Sequence, residues 1–155
     1  MAAHVDNFYT TDPKGELALQ HGYQFLGIAC YVFNTQAKDT VPVYRCFNQT
    51  SNNHFYGTYR PEFDKLVRLE GYKPEHIAWF MFSARQNRSA ALNRYYNQAT
   101  GDHSYSTDDN IGKVSDFSAY TVQGIAGYVL KDNKYSWDET RAVPLYWWYY
   151  KESMA

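Results

Sequence analysis

Apolar and polar positions follow one recurring order along this chain, and the order occurs three times. A segment rich in aromatic and branched residues opens each copy, at 41–48, 91–97 and 143–150. Such runs read as β-strands. In two copies a polar turn follows, 49–53 and 98–102. A second short strand then carries a Phe-Tyr-x-Thr element or a variant of it. Two strands across a turn containing Asn, Gly and Asp predict a hairpin. Next comes an amphipathic stretch. Within 61–71, Phe63, Leu66 and Val67 recur at helical spacing, and Gly71 supplies a stop. The matching stretches 14–22 and 111–120 are weaker, so short helical turns are expected there. A short segment around a Gly-Tyr or Ala-Tyr pair leads into a final apolar strand, at 27–33, 76–82 and 124–130. The links 34–40, 83–90 and 131–142 are polar and read as loops, the last being the longest and carrying Trp137.

One copy, the first in chain order, is split between the ends of the chain. It opens with Pro144-Leu-Tyr-Trp-Trp-Tyr-Tyr150 and continues with Asp6-Asn-Phe-Tyr-Thr-Thr11, Gly22-Tyr23 and Gly27-Ile-Ala-Cys-Tyr-Val-Phe33. The register holds throughout: Tyr9, Tyr56 and Tyr105 are 47 and 49 residues apart. Repeats dictate architecture, and a split repeat predicts a ring closed by pairing the first and last segments. About four short strands per copy gives about twelve in all. A β-propeller typically needs at least four blades, and a linear solenoid has atypical end repeats rather than a split one. The expectation is all-β: a β-trefoil with pseudo-three-fold symmetry and short helical turns between strands. It forms one domain over 1–155, with repeats near 41–89, 90–140, and 1–40 completed by 141–155.

Composition narrows the function. A chain of 155 residues can bury about two-thirds of its unfolded surface. With 15 Lys+Arg against 16 Asp+Glu and no basic block, no nucleic-acid partner is expected. No run of about 18 apolar residues exists, so no membrane insertion is expected. The opening residues lack a signal-peptide pattern, which points to the cytoplasm and leaves unconventional release open. Cys30 and Cys46 occupy different repeat positions and read as reduced core thiols. Aromatic residues reach 19% of the chain, and some of them must fill the core. Tyr and Trp suit surfaces that bind partly polar ligands, and exposed aromatics are compatible with a homodimer.

The hairpin concentrates the candidate chemistry. The second copy offers Arg45, Asn53, His54 and Tyr56; the third offers Arg94, Asp102, His103 and Tyr105. The split copy has Trp147, Asp6, Asn7 and Tyr9 at the same places. Asp, Asn, Arg and His can each engage paired hydroxyls, and an aromatic plane suits the apolar face of a sugar ring. A second reading stays open beside this one: the tyrosines fill the core, and the Asp/Asn-His pair holds the turn through backbone hydrogen bonds. Trp147 replaces Arg and Asn7 replaces His in the split copy, so one to three sites of unequal strength are expected. Trp79 is not required in the core by symmetry, and Trp147 and Trp148 are expected on opposite faces of a strand, one of them open to solvent as a stacking platform. Catalysis is not expected. There is no nucleophile signature, no glycine-rich phosphate loop, no metal or redox spacing of the cysteines, and no carboxylate pair at matching repeat positions. No cofactor or metal is implied.

The string Pro-x-Tyr-Arg-x-x-Asn, Asp/Asn-His-Phe-Tyr-x-Thr, Gly-Tyr, Gly-Ile-Ala-x-Tyr-Val resembles a repeat family of fungal and bacterial proteins known mainly as a domain of unknown function. The family is similar to β-trefoil, lectin-like domains, often attached to secreted hydrolases. A small trefoil without a signal peptide also resembles the cytoplasmic defence lectins of mushrooms. The resemblance implies a carbohydrate-binding protein whose partners are glycans or glycoconjugates. The alternatives are a protein-binding trefoil, such as a protease inhibitor acting through 131–142, and a scaffold whose repeats serve folding alone.

Overall fold

In the computed structural model, which describes residues 4–107 and 117–152, the chain is all-β and antiparallel. The strands are β1 (Val5–Thr10), β2 (Gln24–Val32), β3 (Thr40–Asn48), β4 (Asn53–Gly57), β5 (Lys73–Phe82), β6 (Ser89–Asn97), β7 (His103–Ser106), β8 (Tyr120–Leu130), β9 (Ser136–Trp137), β10 (Thr140–Arg141) and β11 (Val143–Lys151). One helix, α1 (Arg60–Leu69), and two 3-10 segments, Gly15–His21 and Phe117–Ala119, connect them.

Nine of these strands form three units built alike. β11 lies between β1 and β2, β3 between β4 and β5, and β6 between β7 and β8. The central strands pair with register shifts at matching places, between Leu145/Tyr146, Val43/Tyr44 and Leu92/Asn93. Three strands per unit replace the expected four. The Gly-Tyr segment and the apolar run after it do not make two strands, since the bulges let one long strand bend along its whole length. The small β9–β10 hairpin lies in the long link 131–142. The predicted pairing of the chain ends is present, with Val5 opposite Lys151 and Tyr9 opposite Trp147. Single bridges Tyr31↔Leu130, Phe82↔Tyr128 and Phe33↔Phe80 join the units two by two.

The core repeats with the units. Val43, Leu92 and Leu145 are fully buried at one repeat position; Val32, Met81 and Val129 fill another, and Phe33, Phe82 and Leu130 a third. Trp79 is in this core, 1% exposed and stacked on Tyr56 at 5.1 Å, contrary to the expectation from symmetry. The repeat position that holds Trp79 holds Cys30 and Gly127 in the other units, and a Cβ on Gly127 would come within 2.6 Å of Met81. One large and two small residues therefore share a space that three large ones could not. Trp147 and Trp148 are both buried, so neither is the expected open platform. Trp148 is covered by Phe8, Ala18 and the 3-10 segment behind Gly15.

Tyr9, Tyr56 and Tyr105 meet at the centre with ring centroids 5.5–5.6 Å apart, edge to face in all three pairs. Each hydroxyl accepts from the backbone N–H of the tyrosine in another unit and donates to that residue's carbonyl: Tyr9 to Tyr105, Tyr105 to Tyr56, and Tyr56 to Tyr9. The bonds run in one rotational sense and close.

The predicted helix over 61–71 is α1. Pro61 lies in its first turn, where no N–H is needed, and Phe63 is buried against Cys46, Phe55 and Tyr72. The weaker stretch 14–22 forms a 3-10 segment broken by positive φ at Glu16 and Leu17. Of 111–120, residues 111–116 lie outside the described residues, and 117–119 form a 3-10 turn. Cys30 and Cys46 are free and buried. No helix among the described residues is long and apolar enough to cross a membrane.

Candidate functional site

Each hairpin packs against the next unit, and the first two units enclose a cavity of about 430 Å³. Its walls include Arg45 and Phe47 from β3, His54 from β4, Glu75 from β5, Phe8 from β1, Glu16 from the 3-10 segment, and Tyr23 and Tyr150. Two predicted residues, Arg45 and His54, line it. A third, Asp6, is fully buried behind it and orients the histidine: the backbone N–H of His54 donates to Asp6 Oδ1 at 2.8 Å, and His54 Nδ1 lies 2.6 Å from Oδ2.

Arg45 is the hub. Its Nε donates to Glu75 at 2.7 Å, and its two terminal nitrogens donate to the Glu16 carboxylate at 3.0 Å each. The guanidinium lies 5.0 Å over the Phe8 ring. Glu16 also accepts from Thr10 at 2.6 Å, and Glu75 reaches His54 Nε2 at 3.5 Å. Such bidentate and charge-assisted bonds are the strong ones. The Arg45 side chain is only 5% exposed, whereas Glu16 and Glu75 are each about a third exposed, so the carboxylates present free lone pairs to the cavity.

Burial works against a charged His54, but Asp6 and Glu75 outweigh it and raise the pKa to about 9. Burial likewise opposes the charge on Glu75, but His54 and Arg45 outweigh it and bring the carboxyl down to about 2. Glu16 also falls below the usual carboxylate range, because hydrogen bonds from Arg45 and Thr10 overcome its burial. At neutral pH the network is ionised and mutually paired. Neither glutamate retains a proton to give to a leaving group.

The second junction repeats the plan with substitutions. Arg94 lies over Phe55 at 4.5 Å, and His103 packs between Phe55 and Tyr96 at 5.1 and 4.9 Å. Glu62 of α1 takes the place of Glu16, at 3.3 Å from Arg94. Asn53 stands where Asp6 stands, but its amide donates to Thr100 O at 3.1 Å and leaves the ring alone. Burial, and secondarily Arg94, push the His103 pKa down to about 3, so this imidazole is neutral. At the third junction described residues bond to one another. Trp147 Nε1 donates to Asn7 Oδ1 at 2.7 Å, and Asn7 Nδ2 donates to Asp102 at 2.7 Å. Tyr120 also donates to Asp102. Burial and the nearby Asp6 raise the Asp102 carboxyl above its ordinary range.

The predicted residues therefore separate. Arg45, His54 and Asp6 come together at the cavity. Asn53, Arg94 and His103 come together at the second junction, and Asp102, Asn7 and Trp147 at the third. Tyr9, Tyr56 and Tyr105 are inside, with no ring face toward solvent. Sequence reasoning missed Glu16, Glu75, Phe8, Phe47, Tyr23 and Tyr150. Glu75 has Leu26 and Gln123 at its repeat positions, and this charge breaking an otherwise uncharged repeat position was the signal that could have found it. The link 131–142 is anchored, with Trp137 Nε1 donating to Lys38 O and its ring against Phe82. No group of three His, Cys, Asp or Glu among the described residues could hold a metal ion.

A family model described as a domain of unknown function (DUF5648) matches residues 2–82 and, again, 53–154. The chain belongs to this family. The two DUF5648 matches overlap and are offset by about one repeat, as expected when a model spanning neighbouring units can be laid on a periodic chain in more than one register. Neither the curated proteins nor the solved structures yield a match to the chain.

Proposed function

We propose that the protein binds carbohydrate, without catalysis, in the cavity between the first two units. The observation that carries this reading is the meeting of an internally paired polar network with aromatic walls in about 430 Å³. The cavity falls in the size range of small-ligand sites, which combine apolar walls with a few fixed polar groups. Glu16 and Glu75 are held in place by Arg45, so they can accept hydroxyl protons without first losing conformational freedom. Phe47, Tyr23 and Tyr150 supply flat apolar faces for the C–H side of a sugar ring. The three-unit plan, with paired chain ends and a symmetric core, supports reading the fold as the β-trefoil. Fold alone does not fix function, and the weight rests on the cavity.

The test is a glycan array followed by calorimetric titration of the best neutral hit. One strong site per chain is expected. Phe47→Ala, at a half-buried position on the wall, should weaken that binding at least tenfold while leaving the unfolding transition cooperative. A blank array with folded protein would refute the glycan reading, and unchanged affinity in Phe47→Ala would refute the cavity as its place.

A further inference from the structure

Arg45 and Arg94 occupy the same position in consecutive units, but only Arg45 is fully bonded. At the first junction Glu75 bridges the arginine and the histidine, 2.7 Å from Arg45 Nε and 3.5 Å from His54 Nε2. At the second junction the strand register puts Gln123 in that place. Ile77 pairs with Tyr44 as Ile125 pairs with Asn93, and Glu75 and Gln123 stand two residues before those isoleucines. Gln123 is exposed and bridges no pair among the described residues. Arg94 Nε is buried with no hydrogen-bond partner, and so are His103 Nδ1 and Asn53 Oδ1. Native structures pair nearly all such atoms, and an orphaned buried group calls for an explanation. Of the three, Arg94 Nε is the atom that Glu75 satisfies at the first junction, whereas His103 Nδ1 and Asn53 Oδ1 stand where His54 Nδ1 and Asp6 pair.

Charge points the same way. Asp6, Glu16 and Glu75 surround the cations of the first junction, whereas Glu62, at 3.3–3.4 Å, is the one carboxylate bonded to Arg94 among the described residues. The Arg94 side chain is 14% exposed, and residues 121–125 of β8 beside it are all exposed. We propose that the second junction binds a ligand carboxylate in the place that Glu75 fills at the first, with Arg94 Nε and His103 Nε2 as its partners. Glu75 is then an internal counterpart of that ligand. The proposal does not depend on the glycan reading of the cavity. A carboxylate can come from an acidic sugar or from an acidic amino-acid side chain, and both present the same two oxygens.

The experiment titrates the full chain with glucuronate and, separately, with N-acetylglutamate amidated at its α-carboxyl. Saturable binding at one site per chain is expected. The tighter of the two probes identifies the source, sugar or side chain. Gln123→Glu supplies the missing carboxylate from within and should weaken the binding at least tenfold. It should leave a neutral glycan titrating at the first junction unchanged, so either proposal can fail alone. Absence of saturable binding by both probes would overturn the assignment, as would Gln123→Glu binding as tightly as the unaltered chain.

Discussion

The hydroxyl of Tyr56 holds both backbone groups of Tyr9, accepting from its N–H at 2.8 Å and donating to its carbonyl at 3.1 Å. Tyr56 is 1% exposed and Tyr9 is fully buried, so no water can replace those bonds. Tyr56→Phe keeps the ring and leaves an amide and a carbonyl orphaned. An orphaned buried group costs about 1–3 kcal/mol, and a loss in that range is expected in urea unfolding. Tyr9→Phe and Tyr105→Phe should lose similar amounts, because each hydroxyl makes the same pair of bonds. A loss below about 0.5 kcal/mol in all three would mean that the ring of bonds contributes little.

His54 and His103, equivalent by repeat, should give stability opposite slopes with pH. The His54 pKa is raised in the folded chain from 6.5 to about 9. Its contribution is therefore complete below pH 6.5 and lost as pH rises through about 9. The His103 pKa is lowered to about 3, so the unfolded chain takes up the proton first and stability falls as pH drops below 6.5. Urea unfolding across pH 4–9 should show His54→Asn flattening the alkaline side and His103→Asn the acid side. Two variants with the same profile would contradict the contrast.

Arg45 and Arg60 both make ion pairs, of unequal worth. Arg45→Met leaves Glu16 and Glu75 without their shared cation in a half-buried setting, and about 2–3 kcal/mol should be lost. Arg60 pairs with Asp64 on the solvent face of α1, where both side chains are more than half exposed. Arg60→Met should shift the unfolding midpoint far less than Arg45→Met, since a surface pair is worth little and the remaining contribution is the guanidinium over Tyr44 and Phe63 at 4.9 and 5.4 Å. Differential denaturation of the two variants checks both statements.

Gly15 sits at φ +71, and a Cβ there would lie 2.6 Å from the Trp148 ring. Gly15→Ala combines backbone strain with a clash against a buried ring, and about 2 kcal/mol should be lost. Because the next residue is Glu16, glycan affinity at the cavity should fall as well. Retention of full affinity would show that Glu16 holds its place without help from the turn.

Both thiols should be silent toward a water-soluble disulfide reagent in the folded chain. Burial pushes Cys30 far above its usual range and Cys46 to about 12, and the thiolate is the reactive form. Two equivalents should react on unfolding in urea. Rapid reaction of either one in native buffer would place it nearer the surface than the fold does.

The β-rich units, the hairpins and the pairing of the chain ends were legible from periodicity, because alternation and turn residues act locally, whereas the expected count of four strands per copy was not, since bulges let one long strand take the place of two. So was the company of Arg45 with His54, since both recur at fixed spacing. The tyrosines were the harder case. A repeated Tyr fits a binding face and a core equally well, and only the closing of three units around one point decides between them. Glu16 and Glu75 were hidden for another reason. Glu75 meets Arg45 only through the bulged pairing of β5 with β3, and Glu16, on the 3-10 segment of another unit, reaches it only after the units have packed. The contrast between His54 and His103 came from their neighbours, Asp6 in one case and Asn53 in the other, each supplied by the preceding unit.

The pairing of β1 with β11 also governs the order in which the molecule can be completed. During synthesis, residues 5–10 emerge well before residues 143–151, and every residue of β1 is paired across β11. The other two units have their central strand and both neighbours contiguous in the chain, so each can assemble as it emerges. The first unit waits for the last strand, and with it wait Asp6, Phe8 and Tyr150. The polar cavity therefore takes shape only once β11 has paired with β1, which makes it dependent on the strand synthesised last among those that build it.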